Sequence, residues 1–123
     1  MKQLSYEAIR VKYYRSKMQK ISKQDLEEKI IQTLKGCYDP EIPVDIFELG
    51  LIYEIAIDDD YNVKIKMTLT SPMCPVAGSL PPEVEGKVKA IPEVKDAKID
   101  LVWSPPWDKD MMSEVAKLEL GFL

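Results

Sequence analysis

The fold is decided by residues 51–75, which read LIYEIAIDDDYNVKIKMTLTSPMCP. Apolar and polar residues alternate over 51–57 and again over 63–69, as in two half-buried strands. The residues between them, Asp58 to Asn62, are turn formers, so we predict an antiparallel hairpin. The three aspartates of this turn could indicate a calcium-binding loop, but the ligand spacing and the glycine of such a loop are missing. The hairpin runs directly into a loop in which Cys74 lies between two prolines.

Helical and strand patterns flank the hairpin on both sides. Ser22, followed three residues later by Asp25, is typical of a helix start, and the apolar stripe behind it is Leu26, Ile30, Ile31 and Leu34. We predict a second helix opened by Ser79 or Pro81, a strand over 97–103, and a final helix capped by Asp108 or Asp110. Its inward-facing residues are predicted to be Met111 or Met112, Val115 and Leu118. The predicted fold class is α+β, a two-layer sandwich with a mixed three-stranded sheet in the order helix–strand–strand–helix–strand–helix.

Charge divides the 123-residue chain into two parts. Residues 1–24 carry seven basic residues and one acidic residue, whereas the remainder carries 10 basic and 20 acidic residues. We therefore predict a basic N-terminal arm at 1–21, helical and docked on its own acidic domain, followed by one domain at 22–123. Basic and aromatic residues interleave in the arm, but it has no base-reading motif, so a nucleic-acid partner is not expected.

Composition excludes several classes of protein. No apolar run is long enough to cross a bilayer, and the N-terminus lacks the apolar block of a signal peptide, which predicts a cytoplasmic protein without a membrane partner. In a reducing compartment the two cysteines are expected to be free thiols. There is no histidine, which removes the usual general base and any Cys–His nucleophile pair. Two cysteines cannot complete a four-thiolate cluster site within one chain.

Chain connectivity predicts that three proline-rich loops meet. The hairpin strands are antiparallel, and a helix joins the second strand to the third, which makes those two strands parallel. The loops at 39–43, 70–75 and 104–107 should therefore lie on one edge of the sheet. This rim would bring together Asp39, Glu41, Cys74 and Trp107. Cys74 is then either a small structural residue or a functional thiol, and we favour the functional thiol because loop rims commonly carry sites.

Four motifs in order resemble a known family. They are DPEIPVDI at 39–46, LGLIY at 49–53, MTLTSPMCP at 67–75 and SPPW at 104–107. They look like the SufT-type metal–sulfur cluster assembly factors, which are related to the PaaD proteins of phenylacetate degradation and to eukaryotic cytosolic iron–sulfur targeting factors. The resemblance covers about residues 22–123 and leaves the arm outside it. It implies an iron–sulfur assembly domain-like fold and a role in maturing iron–sulfur proteins, as part of the SUF system or alongside it.

The resemblance also implies roles for particular residues. Cys74 corresponds to the family's cysteine, and Asp39 and Glu41 correspond to its acidic loop, with Thr70 and Ser71 at the hydroxyl positions before the cysteine. It implies no stably bound cofactor, a transient iron–sulfur cluster on Cys74 whose ligation could be shared between chains, and assembly proteins and client apoproteins as partners; a homodimer stays open. The alternatives are a cysteine-dependent enzyme with Asp39 or Glu41 as acid/base, a PaaD-like accessory protein, and a structural adaptor that binds through Trp107. No catalytic residue is assigned.

Overall fold

The computed structural model describes residues 21–39, 42–71 and 78–122. The elements are α1 Lys23–Leu34, β1 Ile52–Ile57, β2 Asn62–Met67, α2 Leu80–Lys89, β3 Asp96–Leu101, a 3₁₀ turn at Lys109–Met111 and α3 Glu114–Glu119. This order confirms the predicted helix–strand–strand–helix–strand–helix arrangement. The predicted helical arm at 1–21 lies outside the described residues except for Ile21.

The three strands form one mixed sheet in the order β1-β2-β3. β1 pairs antiparallel with β2, and β2 pairs parallel with β3. The hairpin turn is held by Asp58, whose carboxylate accepts hydrogen bonds from the backbone N–H groups of Asp60 and Asn62 at 2.9 Å each. The two pairings confirm that the start of β1 and the ends of β2 and β3 lie at one edge, as connectivity predicted.

The core lies between the sheet and the first two helices. α1 packs on β1 and α2 on β3, and the two helices also contact each other. Three α1 side chains of the predicted stripe, Leu26, Ile30 and Leu34, have no solvent exposure, whereas Ile31 is half-buried. On the sheet, Val63, Ile65 and Met67 are buried, while Lys64 between them is exposed. This two-layer arrangement leaves a charged sheet face on the outside.

Local signals in the sequence set the helix starts. The Ser22 side chain accepts a hydrogen bond from the Asp25 N–H at 3.0 Å, which confirms the predicted cap of α1. α2 begins at Leu80 with prolines in its first turn, where no intrahelical donor is lost. No helix among the described residues has both the length and the apolar character that crossing a bilayer requires.

The prediction for the final helix was wrong in its register. Asp108 caps the 3₁₀ turn, and α3 begins only after Ser113, whose hydroxyl accepts from the Ala116 N–H at 3.1 Å. Because each residue turns a helix by about 100°, the later start rotates the inward face. Met112 and Ala116 are therefore buried, whereas Val115 and Leu118 are 58% and 66% exposed.

Two further differences concern the strands. A register shift between Ile52 and Glu54 places Ile52 opposite Met67, so β1 does not alternate along its full length. β3 ends at Leu101, and Trp103, which the pattern placed in the strand, is exposed. Both departures lie at the edge of the sheet where the proline-rich loops meet.

Candidate functional site

The described parts of the three predicted loops converge on one edge of the sheet. The Thr68 N–H donates to the Leu51 carbonyl, and the Val102 N–H donates to the Met67 carbonyl, both at 2.8 Å. These bonds extend the two ladders beyond the strands and align the segments 42–51, 68–71 and 102–113. We call these three segments the rim.

Side chains of two aromatic residues brace the rim. The Tyr53 hydroxyl donates to the Pro105 carbonyl at 2.8 Å, which holds the SPPW loop against β1. The Trp107 ring N–H donates to the Leu49 carbonyl at 2.8 Å, which joins the same loop to the segment before β1. Burial raises the pKa of the Tyr53 hydroxyl, so the protonated form that donates this bond persists above the ordinary value of 10.0. The rim is thus cross-linked through backbone carbonyls.

A glycine permits the closest approach between two rim segments. Gly50 has φ +81°, and a Cβ atom there would lie 2.3 Å from the Met111 carbonyl oxygen. The turn before it is closed by Asp45, whose carboxylate accepts from the N–H groups of Phe47 and Glu48 at 3.0 and 2.9 Å. Beside this contact the Ser113 N–H donates to the Glu48 carbonyl at 2.8 Å. Only glycine fits both the backbone angle and the space at position 50.

The predicted site residues fall into two groups. Asp39 is 4% exposed, and its carbonyl accepts from the Ile42 N–H at 3.1 Å. Thr70, Ser71 and Trp107 are half-buried at the rim. Glu41 and Cys74 lie outside the described residues, so their predicted roles are carried forward as proposals.

Thr70 and Trp107 meet in one cleft of about 490 Å³. Ile42 and Pro43, which follow Glu41 in the chain, line the same cleft. We call it the rim cleft, and the described residues that line it are Ile42, Pro43, Leu49, Thr70, Trp107, Lys109, Met112, Leu120 and Phe122. Residues from all three rim segments and from the C-terminal end therefore enclose one mostly apolar space.

Cys37 is a core residue. It is fully buried, and its thiol lies 3.5 Å from the Thr33 carbonyl, to which it donates. Burial raises the pKa of the thiol, and the carboxylates of Glu83 and Asp45 act in the same direction, against the opposing effect of Lys87. A buried thiol with a raised pKa is a poor nucleophile and a poor metal ligand at neutral pH.

The sequence did not reveal every residue that shapes the site. Tyr53 was assigned to the strand pattern, although its hydroxyl is a brace of the rim. Lys109, Leu120 and Phe122 line the cleft but belong to no motif. Within the described ranges, no group of three or more potential ligands among His, Cys, Asp and Glu could hold a metal ion.

Comparisons with known proteins agree with the four motifs. The profile of the iron–sulfur cluster assembly protein family matches residues 27–101. An Fe-S protein maturation auxiliary factor of Porphyromonas gingivalis is 52% identical over 97 residues, which cover 79% of this chain and 92% of the relative. The Fe-S protein maturation auxiliary factor SufT of Staphylococcus aureus is 46% identical over 83 residues, covering 68% and 94%.

A solved structure extends the agreement to the fold. The crystal structure of a domain of unknown function from Bacillus anthracis matches with a TM-score of 0.76 and 40% identity, covering 81% of this chain and 95% of that one. The fold, the ordered motifs and the close relatives lead to the same assignment. This chain belongs to the iron–sulfur cluster assembly protein family.

Proposed function

We propose that this protein is a maturation factor that assists the delivery or insertion of iron–sulfur clusters into client proteins. The proposal is supported by membership of the family and by relatives that are named Fe-S protein maturation auxiliary factors. The rim is the proposed working surface, with Cys74 as the functional thiol. Asp39, Glu41, Thr70, Ser71 and Trp107 are the proposed supporting residues.

One observation supports this location above all. Thr70, four residues before Cys74, lines the rim cleft together with Trp107 and with the two residues that follow Glu41. The described residues at the end of the acidic loop and just before the cysteine loop therefore lie beside one shared space. A partner that approaches the cleft would therefore meet both loops at once.

The number of available cysteine ligands limits how Cys74 could contact a cluster. A stable cluster is held by about four protein ligands, and thiolates are the usual ones. Cys37 is enclosed in the core, so Cys74 is the one cysteine that we propose for cluster contact. The remaining ligands would come from an assembly protein, a client apoprotein or a second copy of this chain. Contact with a cluster is therefore proposed to be transient, which suits a factor that passes its cargo on.

We place this activity in the cytoplasm and assign no enzymatic step to the protein. The sequence has no histidine that could activate a cysteine nucleophile. The proposed partners are the iron–sulfur assembly proteins and the client apoproteins. The cluster is the cargo of this exchange and not a resident cofactor.

A deletion strain tests the proposed thiol. Loss of the protein should lower the activities of several iron–sulfur enzymes, including aconitase-type enzymes, and the wild-type gene should restore them. The Cys74→Ser protein should be present at normal levels but should fail to restore these enzyme activities. The matched control is Cys37→Ala, which lacks the buried thiol instead. A Cys74→Ser protein that is folded, abundant and fully active would overturn the role of the thiol.

A further inference from the structure

The rim cleft has the chemistry of a protein docking site. The described residues of its lining are apolar except for Thr70 and Lys109, and it has about 490 Å³ of space. Apolar clefts with a few polar groups are the usual binding sites on proteins. Phe122 also lines the cleft, and its side chain is 54% exposed.

The last helix also exposes two apolar side chains. Val115 and Leu118 lie one turn apart on α3 and are both largely exposed. The Phe122 N–H donates to the Lys117 carbonyl at 2.7 Å, which keeps the ring next to this helix. Val115 and Leu118 are not among the residues that line the cleft, so the docking argument rests on the cleft itself.

The charge of the described lining indicates which kind of partner segment would bind in the cleft. Among the described residues that line the cleft, Lys109 is the one charged residue, and its ammonium lies 5.5 Å from the centre of the Phe122 ring. Among the described residues Lys109 has no salt bridge within 4.0 Å. Asp108 and Asp110 flank it in sequence but do not line the cleft, and the Asp108 carboxylate accepts the Asp110 N–H at 2.8 Å. An acidic group on the occupant would complement this lysine.

The basic arm does not fit these conditions. Residues 1–20 contain six basic residues and one acidic residue, so their net charge is +5 and opposes Lys109. The arm joins the domain at Ile21, whose carbonyl accepts from the Tyr61 hydroxyl beside the hairpin turn. That turn lies at the opposite end of the strands from the rim.

We propose that the rim cleft binds an acidic amphipathic segment of a protein that takes part in cluster transfer, through an aliphatic or aromatic side chain followed by a carboxylate. The apolar side chain enters between Trp107 and Leu120, and the carboxylate pairs with Lys109. This inference rests on the proposed maturation function and names the class of partner segment that the rim receives.

The position of the cleft relates docking to the proposed thiol. Cys74 is four positions after Thr70 in the chain, and four fully extended residues span at most about 14 Å. A partner segment that contacts Thr70 would therefore lie within about that distance of Cys74. Docking and ligand sharing would then occur on one face.

Peptide titrations test the docking chemistry without a cluster. The probe is acetyl-Ala-Phe-Leu-Glu-Ala-amide, its comparison is the same peptide with Gln in place of Glu, and binding to the full chain is followed residue by residue by NMR. We expect chemical-shift changes at Thr70, Lys109 and Phe122. The Glu peptide should bind about two- to five-fold more tightly than the Gln peptide, since an exposed ion pair contributes modestly.

Variants assign the two parts of the interaction. Lys109→Met should remove the difference between the peptides while the Gln peptide binds as before, and Phe122→Ser should weaken both. Lys98→Met, the same charge change on the open sheet face, should alter neither. Equal affinities of the two peptides for the wild type, or binding unaffected by both Lys109→Met and Phe122→Ser, would overturn the proposal.

Two further results separate this inference from its rivals. A dimer in sedimentation that Phe122→Ser dissolves would show that a second copy fills the cleft, which would also overturn the proposal. Cys74→Ser should bind the Glu peptide with unchanged affinity. If the wild-type protein binds the peptide as expected but Cys74→Ser still restores the iron–sulfur enzyme activities in the deletion strain, the proposed role of the thiol is refuted and the docking proposal is not.

Discussion

Replacing Gly50 by alanine should destabilise the rim through two separate effects. The backbone angle φ +81° is the left-handed region, which costs an alanine about 1–2 kcal/mol. In addition the new Cβ would lie 2.3 Å from the Met111 carbonyl oxygen. Restoring an ordinary separation requires the 109–111 segment to move by about 1 Å, and overpacking of this kind costs about 1–3 kcal/mol.

Gly121 provides a matched control for this substitution. It has the same φ of +81°, but a Cβ there would meet nothing within 4 Å. Gly121→Ala therefore carries only the backbone cost. The difference in the free energy of unfolding between the two variants measures the contact with Met111, for which we expect about 1–3 kcal/mol.

Thermal and urea unfolding of both variants measures this difference. For a domain of this size 1 kcal/mol lowers Tm by about 4 °C, so Gly50→Ala should melt about 4–12 °C below Gly121→Ala. Trp107 fluorescence should also change in folded Gly50→Ala, because the indole is bonded to the neighbouring Leu49 carbonyl. Equal stabilities of the two variants would refute the close packing of the two rim segments.

Three other expectations follow from burial, charge and chain organisation. Lys29→Met should lower the free energy of unfolding by about 1–3 kcal/mol, because the paired Glu93 side chain is 6% exposed and would lose its partner; a loss below about 0.5 kcal/mol in urea unfolding would contradict this. Iodoacetamide should modify Cys74 well before Cys37 in the native protein, and denaturant should erase the difference. Because the pKa of the Cys37 thiol is raised in the folded state, its contribution to stability is present below the ordinary value of 9.0 and is lost as the pH rises through the folded-state pKa. The free energy of unfolding of a Cys37→Ala variant should therefore fall less steeply at alkaline pH than that of the wild type. Removal of residues 1–21 should leave Tm nearly unchanged, whereas a drop of more than about 10 °C would show that the arm belongs to the core.

Much of the fold could be predicted because two signals agree. Alternation over 51–57 and 63–69 defined the hairpin, and a helix between the second and third strands required parallel pairing. The same connectivity placed the three proline-rich loops at one edge without any knowledge of side-chain contacts. Strand direction alone therefore carried the prediction of the rim.

Local features that compete with one another could not be predicted. Asp108, Asp110 and Ser113 are all suitable helix caps, and the structure uses Asp108 for a 3₁₀ turn and Ser113 for α3. Choosing the wrong cap rotated the predicted apolar face and hid the exposure of Val115 and Leu118. The β1 register shift and the Tyr53 bond to Pro105 depend on contacts distant in sequence, for which periodicity has no signal.

Trp107 has two roles that the choice of variants must separate. Its ring N–H braces the loop against the Leu49 carbonyl, and its ring also lines the cleft. Loss of activity in Trp107→Ala would therefore report a displaced rim as readily as a lost contact with a partner. Lys109 and Phe122 line the cleft, and neither side chain makes a hydrogen bond that joins the described rim segments. Their substitution changes the surface offered to a partner while Tyr53 and Trp107 still hold the rim, so these two positions distinguish docking from scaffold integrity.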